Sequence, residues 1–427
     1  MSSAESISYN AQLDCTEPHA ADPQIEQAIA RLIEGDFHSK WDRTKRLDRQ
    51  FAQWGDRPIP YLISRLENST DIENQWFLVR ALAQFDHPKV VAALAHLLMT
   101  TAAEDLQIEA IKALTGLGNS AVATLAAWLS VDQLPARRVL AAQTLARIRR
   151  TDTILPLLSV VDDPDPQLRV IAVEALGSFH DPRVTPVLLA ALEDSPAICV
   201  EAIRTLGRRA DLLATLDLIG PLQHCLYHAD ANVARESAIA LGRLGSEPAA
   251  VALGKTLTQP LPTPVKIAAV RALGWMDTPV AIADLSAAFA CAMPVVMPTV
   301  RQEIAKSLGQ TRSEPLKAKA AAPLLTWLET ASLAYTQTSG APSGLDPDGF
   351  NLNQAVLSAL ARLRTQAALD GLVPLLGDPD ARIGLHALSA LKRIDPNAAQ
   401  IKVRAYLQDE TIAPHLREKV ADTLSAW

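Results

Sequence analysis

From Asp163 to Asp194 the chain reads DPDPQLRVIAVEALGSFHDPRVTPVLLAALED, and this pattern returns along most of its 427 residues. An Asp-Pro turn opens it, and LRVIAVEALG follows with apolar residues at helical spacing. His180, Asp181 and Pro182 break that run, and VTPVLLAAL begins a second one. Such a pair of helices carries an apolar stripe that it cannot cover alone, so it is stable only when stacked on neighbours. One leucine marks each first helix: Leu82, Leu114, Leu145, Leu176, Leu206, Leu241, Leu273, Leu308, Leu360, Leu391 and Leu424. Most steps are 30 to 35 residues, the period of helix-pair solenoids. The repeat therefore predicts an all-α fold, a right-handed α-solenoid of about a dozen helix pairs.

The helical pattern begins near Gln24, after a polar, aperiodic stretch over 1–23 that reads as a mobile tail. A single solenoid is expected over 24–427. Its one irregular step, from Leu308 to Leu360, contains TQTSGAPSGLDPDGFN, a loop insertion at about 336–351. Glycine follows many markers, as in LTGLG, ALGSF, TLGRR, ALGRLG, ALGW and SLGQ. These glycines are expected to end first helices in the left-handed conformation.

Composition narrows the function classes. The chain is 49% hydrophobic but only 4% aromatic, which suits closely packed Ala/Leu/Val layers, and its net charge is −7. That charge argues against nucleic acid, whose phosphates need a concentrated basic face. The basic run Lys40, Arg43, Lys45, Arg46 and Arg49 is interrupted by Asp42 and Asp48, and reads as a solvated face or a patch for an acidic protein. The most apolar stretch, Ala283 to Val300, is cut by Pro294 and Pro298, so no membrane insertion is expected. MSSAESISYNAQLDC has neither the basic start nor the apolar core of a signal peptide. Cys15, Cys199, Cys225 and Cys291 show no paired spacing, and a reducing cytoplasm is the expected location.

Seven residues before each marker, on the same helix face, the chain places Gln75, Gln107, Arg138, Arg169, Cys199, Ala234, Lys266, Arg301, Asn353, Gly384 and Arg417. Polar side chains recur there in otherwise apolar helices. The reading adopted is a structural ladder that ties one repeat to carbonyls or carboxylates of the next, with a ligand-binding row as the alternative. Among the few aromatics, Trp128, Tyr227, Trp327 and Tyr406 fall in second helices. They are candidate anchors for a partner protein or, equally, plugs in an alanine-rich core. Cys225 and His228 lie three apart in QHCLYH and could face one metal from a helix, but nothing else in the sequence completes a site. No nucleophile, phosphate-loop or metalloprotease motif occurs in a suitable context, so no catalytic residue and no cofactor is assigned.

The stretches LRVIAVEALGSFHDPRVTPVLLAALED, ARESAIALGRLGSEPAAVALGKTL and VKIAAVRALGWMDTPVAIADL resemble HEAT repeats, and more narrowly the HEAT-like repeats of phycobilisome (bilin) lyases. HSKWDRTKRLDRQFAQWGDRPIPYLISRLENSTDIENQWFLVRALAQFD resembles cyanobacterial HEAT proteins, a group of which is associated with IscA-type iron–sulphur carriers. The resemblance implies a non-catalytic scaffold that binds a protein along its concave face, the client being an iron–sulphur carrier or a phycobiliprotein. The enzymatic alternative is a bilin lyase, or a subunit of one, attaching a tetrapyrrole to a phycobiliprotein cysteine. In either case bilin or an iron–sulphur cluster is met only through a partner. A third class is a metal or cluster carrier using Cys225 and His228.

Overall fold

The computed structural model describes residues 22–131, 134–291, 296–337, 347–378, 380–412 and 414–424, with their side chains except at 42–49, 52, 131, 331–337, 347–350, 423 and 424. Every regular element among the described residues is helical. The chain forms two compact units, Met1–His180 and Asp181–Trp427.

In the first unit α1 (Pro23–Leu32) precedes four helix pairs. They are α2 (Phe37–Trp54) with α3 (Ile59–Asn68), α4 (Ile72–Leu82) with α5 (Pro88–Thr100), α6 (Glu104–Leu117) with α7 (Asn119–Val131), and α8 (Pro135–Ile148) with the short α9 (Ile154–Leu158). Helix α10 (Pro166–Leu176) ends the unit. The second unit opens with α11 (Val184–Ala190). It continues with α12 (Pro196–Leu206) and α13 (Ile219–Cys225), α14 (Ala231–Leu244) and α15 (Glu247–Thr256), then α16 (Thr263–Met276) and α17 (Pro279–Ala290). After these come α18 (Pro298–Leu308) and α19 (Glu314–Gln337), α20 (Pro347–Leu363) and α21 (Ala368–Leu372), α22 (Ala381–Ile394) and α23 (Pro396–Gln408), and finally α24 (Pro414–Leu424). Within each unit consecutive first helices pack on one another, and each second helix packs on the first helix that follows it. The fold is an all-α solenoid.

Local chemistry sets the helix starts. Asp71, Asp165, Asp230 and Asp380 each accept a hydrogen bond from the backbone N–H two residues on, at 3.0, 2.9, 2.7 and 2.9 Å. This satisfies one of the donors that a helix leaves unpaired at its beginning. Proline occupies the first helical position of α5, α8, α10, α12, α17, α18 and α23, where its missing N–H is not needed. Asp22 caps α1 in the same way, so regular structure begins at Pro23, the last residue of the expected tail. Residues 1–21, with Cys15, lie outside the described residues. The expected insertion at 336–351 is helical at both ends: α19 runs to Gln337 over 24 residues and α20 starts at Pro347. Residues 338–346 of it lie outside the described part.

The marker leucines form the core. Those from Leu82 to Leu391 are all 0% exposed, each burial contributing about 1.5–3 kcal/mol. The glycines beside them do not take the conformation expected. Gly207 and Gly309 have φ of −64° and −67°, and Gly242 and Gly274 lie inside α14 and α16. Only Gly118 and Gly245 of these motifs have positive φ, 63° and 64°. What the others supply is close approach. A Cβ on Gly207 would sit 2.7 Å from Ala240 Cβ, and one on Gly242 would sit 2.6 Å from Ala272 Cβ. On Gly274 it would be 3.0 Å from Ser307 Cβ, and on Gly309 2.6 Å from Ala359 Cα. In every case the neighbour is the residue just before the next marker leucine. The last contact spans the irregular step, so the extra length there leaves the first-helix layer intact.

This contact can be separated from helix propensity by experiment. In a helix interior, Gly→Ala alone is favourable by about 1 kcal/mol, whereas overpacking costs about 1–3 kcal/mol. Gly242→Ala is expected to destabilise, and Gly116→Ala, where an added Cβ meets nothing within 4 Å, to stabilise. Chemical denaturation of the two variants compares them directly, and a Gly242→Ala protein as stable as the parent would refute the packing argument.

Candidate functional site

The ladder side chains turn back toward the end of the preceding second helix. Gln75 Nε2 donates to Ser69 O and Gln107 Nε2 to Thr101 O, both at 2.8 Å. Arg138 Nε donates to Leu129 O at 2.9 Å, and Arg169 Nη1 to Asp163 O at 2.8 Å. Arg301 Nη2 donates to Cys291 O. The last carbonyls of a helix have no partner within it, and the ladder supplies one from the next first helix. Arg138 also reaches forward, its guanidinium paired with both carboxylate oxygens of Asp163. Asp163 is thus held by ladder arginines of two consecutive repeats. Lys266 is buried, and burial pushes its ammonium below the ordinary lysine range. Arg417 lies in α24, with its buried Nε unpaired among the described residues.

Ladder and anchors converge at Trp327. Its indole N–H donates to Oδ1 of Asn353, the ladder residue of α20, at 3.0 Å. The guanidinium of Arg301, the ladder residue of α18, lies over its ring at 5.2 Å, and Phe289 meets it edge-on at 6.0 Å. A desolvated cation–π contact of this kind contributes about 2 kcal/mol. Together Phe289, Ala290, Cys291, Arg301, Pro323, Thr326, Trp327 and Thr330 line a pocket of about 450 Å³ between α17 and α19. Trp128 is half-buried in α7 under the guanidinium of Arg137 at 5.2 Å. Tyr406 is half-buried in α23, and burial, with Asp409 adding to it, pushes its phenol up. Tyr227, expected in a second helix, sits in the turn just after α13 and is 46% exposed.

The expected shared helix face of Cys225 and His228 is not formed. Helix α13 ends at Cys225. His228 lies beyond it, its Nδ1 accepting the backbone N–H of Asp230, the residue that caps α14, at 2.9 Å. Cys225 instead lies near Cys199, and this neighbour together with burial pushes the Cys199 thiol well above the ordinary range. Both sulphurs are buried, which suits inert packing thiols. Among the described residues no group of three or more His, Cys, Asp or Glu side chains could hold a metal ion. Likewise, no helix there is long and apolar enough to cross a membrane. Lys40, first of the basic run, is buried and bonds Glu73 Oε1 at 2.6 Å and Asn74 Oδ1 at 2.8 Å. The side chains of Arg43, Lys45, Arg46 and Arg49 lie outside the described residues.

Sequence reasoning missed two features of the first helices. One is a row of ion pairs between consecutive repeats: Arg80 with Glu109 at 3.2 Å, Arg204 with Glu236 at 3.3 Å, and Arg271 with Glu303 at 2.6 Å. Each arginine stands two before one marker leucine and each glutamate five before the next, a register readable in the sequence. Partly exposed, each pair contributes roughly 0.2–1 kcal/mol. The other is an aromatic stack in which the rings of Trp41 (α2) and Trp76 (α4) lie 6.0 Å apart. Arg80 covers them at 4.7 and 4.9 Å. Phe37, 45% exposed, stacks on Trp41 at 6.3 Å. The spacings Phe37–Trp41 and Trp76–Arg80, four residues apart on a helix, were its signal.

A family model described as HEAT repeats matches residues 59–138, 122–207 and 219–292, together more than half of the chain. No curated protein matches. Among solved structures, human deoxyhypusine hydroxylase in complex with glycerol is 21% identical, over 65% of this chain and 96% of that one, with a TM-score of 0.25. A structure concerning a phosphorylation switch between cadherin and beta-catenin is 16% identical, over 93% and 99%, with a TM-score of 0.35. One of Kap95p binding RanGDP is 12% identical, over 94% and 62%, with a TM-score of 0.47. These likenesses carry no functional argument.

The double clamp on Asp163 makes a pH prediction. Burial raises its pKa, but the hydrogen bond from Arg138, that from the Asp165 N–H, and the charges of Arg138 and Arg169 outweigh burial and hold it below 3.8. A carboxyl depressed in the folded state stabilises fully above its unfolded pKa of about 3.9, and loses that contribution as pH falls through the folded value. Asp163→Asn is expected to cost about 1–3 kcal/mol near neutral pH and to lose less stability than the parent between about pH 4 and 2. Urea denaturation across that range checks it. Parallel stability–pH curves for parent and variant would count against the clamp.

Proposed function

Because the chain belongs to the HEAT-repeat family, we propose that it acts as a non-catalytic protein-binding scaffold whose client lies against the second helices. One observation supports this reading above others. In the second unit three of the second helices, α13, α15 and α23, have an exposed large apolar side chain in or just beside them, as the first helices α16 and α22 have at Trp275 and Leu385. Tyr227 is 46%, Val251 40% and Ile401 67% exposed, and Trp327 opens into its pocket. Partly exposed aromatic side chains suit interface anchors, and Trp128 and Trp327 are each held by a neighbouring arginine.

In this reading Trp128, Tyr227, Trp327 and Tyr406 contact the client, while the ladder holds the repeats. The protein carries no cofactor of its own and works in the cytoplasm. The client suggested by sequence resemblance is an IscA-type iron–sulphur carrier or a phycobiliprotein, so any cluster or bilin belongs to the partner. Lyase activity is the alternative, and co-expression with a phycobiliprotein apoprotein and bilin would reveal it as a coloured covalent adduct.

The test is affinity capture from the native host, identification of retained proteins by mass spectrometry, and measurement of the affinity for the retained client. Tyr227→Ala and Trp327→Ala are each expected to weaken binding by tenfold or more, since anchor truncation costs about 2 kcal/mol or more. Gly116→Ala should leave binding unchanged. A client bound equally well by both anchor variants would move the interface off the second helices.

A further inference from the structure

The pocket beside Trp327 contains a charge that no described group answers. Arg301 is 3% exposed, and its Nε–H has no acceptor among the described residues. Among the described residues its one hydrogen bond runs from Nη2 to Cys291 O, and no carboxylate there pairs with it. The four residues after Cys291 are Ala, Met, Pro and Val, so that stretch brings no acid either. Burial lowers the guanidinium's pKa, yet arginine stays protonated. A buried cation without a counter-charge is costly. Three other rungs avoid the cost, Gln75 and Gln107 by capping the same kind of carbonyl with neutral amides and Arg138 through Asp163, while at the buried Lys266 burial lowers the pKa of a group that, unlike arginine, can lose its proton.

The rest of the pocket wall is apolar or accepting. Phe289, Pro323 and Trp327 give hydrocarbon and aromatic surface. Thr326 and Thr330 already donate their hydroxyl hydrogens to Ala322 O (3.2 Å) and Trp327 O (2.9 Å), which leaves their oxygens as acceptors. A volume near 450 Å³ lies within the range of small-ligand sites, which run from about 300 to 1,000 Å³.

We propose that this pocket binds an N-acylated apolar amino acid through its free carboxylate, the carboxylate meeting the Arg301 guanidinium, the amide N–H a threonine oxygen, and the side chain Phe289, Pro323 and Trp327. The same chemistry is offered by the C-terminal residue of a protein chain and by a free N-acyl amino acid. The inference stands apart from the scaffold reading, because either source would be held in the same way.

The experiment is calorimetric titration of the full-length protein with N-acetyl-phenylalanine and with its carboxamide. Two acetylated hexapeptides ending in Phe, one with a free and one with an amidated terminus, complete the set. The free acids should bind at least about tenfold tighter than the amides, the scale of a hydrogen bond to a charged group. A peptide acid stronger than N-acetyl-phenylalanine identifies a chain end as the source, and equal affinities identify the free amino acid. Arg301→Met should remove the advantage of acid over amide. Since a buried substitution can impair folding, Thr330→Trp, at an exposed position on the pocket wall, provides a second variant that should abolish binding. Acid and amide binding equally to the parent protein, no binding of either, or acid binding unchanged in Thr330→Trp would each overturn the assignment. None of these outcomes depends on whether a client protein is captured.

Discussion

From α12 to α20, consecutive first helices of the second unit meet through a glycine on one side and a small residue on the other, and the rest of that array depends on this contact. Gly207 faces Ala240, Gly242 faces Ala272, Gly274 faces Ser307 and Gly309 faces Ala359. A helix-interior glycine forfeits about 1 kcal/mol of propensity, so its recurrence requires a compensating gain. The gain is dispersion and burial along a whole helix face, since the marker leucines can interdigitate only when the backbones are close. Because the glycine follows one leucine and the small residue precedes the next, the contact also fixes register. A slide by one residue would drive a leucine into a neighbouring backbone. The layer therefore tolerates the long step between Leu308 and Leu360, where Gly309 and Ala359 still meet.

Close stacking of first helices creates a second requirement at the ends of the second helices. Their terminal carbonyls point into the joint between repeats, where water has little access, and an unpaired carbonyl there costs about 1–3 kcal/mol. The ladder answers this with a side chain long enough to reach back across the turn. Glutamine is sufficient, as Gln75 and Gln107 show. Arginine does more, because its fork can hold a carbonyl and a carboxylate together, as Arg138 does with Leu129 O and Asp163. Asp163 in turn orients its own turn by accepting the Asp165 N–H at 3.0 Å. At this turn Asp163 thus serves a ladder cation while Asp165 serves the start of α10.

Much of this was legible in the sequence because it is periodic. The markers, the Asp-Pro starts and the polar residue seven before most of the leucines all follow from a helix pair that must repeat its solution. Glycine misled for a physical reason: one residue type serves both positive φ and close backbone approach, and sequence alone does not separate them. Gly245 takes the first role, while Gly242, three residues earlier, takes the second. Cys225 and His228 misled because the helix stops at Cys225, and a three-residue spacing means a shared face only while the helix lasts. The thiol pair of Cys199 and Cys225, 26 positions apart, follows from stacking and has no local signal. Trp327 is legible in the sequence as an aromatic and Arg301 as a rung, but their meeting is a tertiary event between helices of one pair.

Specificity in such an array has to come from departures, because any residue that repeats is committed to holding the repeats together. The rung at Arg301 departs in a way that stability does not require. A glutamine there would cap Cys291 O as well, and would spare the desolvation of a full charge. The arginine is instead placed under an indole whose N–H is already held by the next rung, Asn353. That arrangement stiffens both partners before any ligand arrives and reduces the ordering cost of binding. Two consecutive rungs of a structural ladder are thereby turned toward a single aromatic side chain, and scaffold chemistry becomes recognition chemistry at one joint of the array.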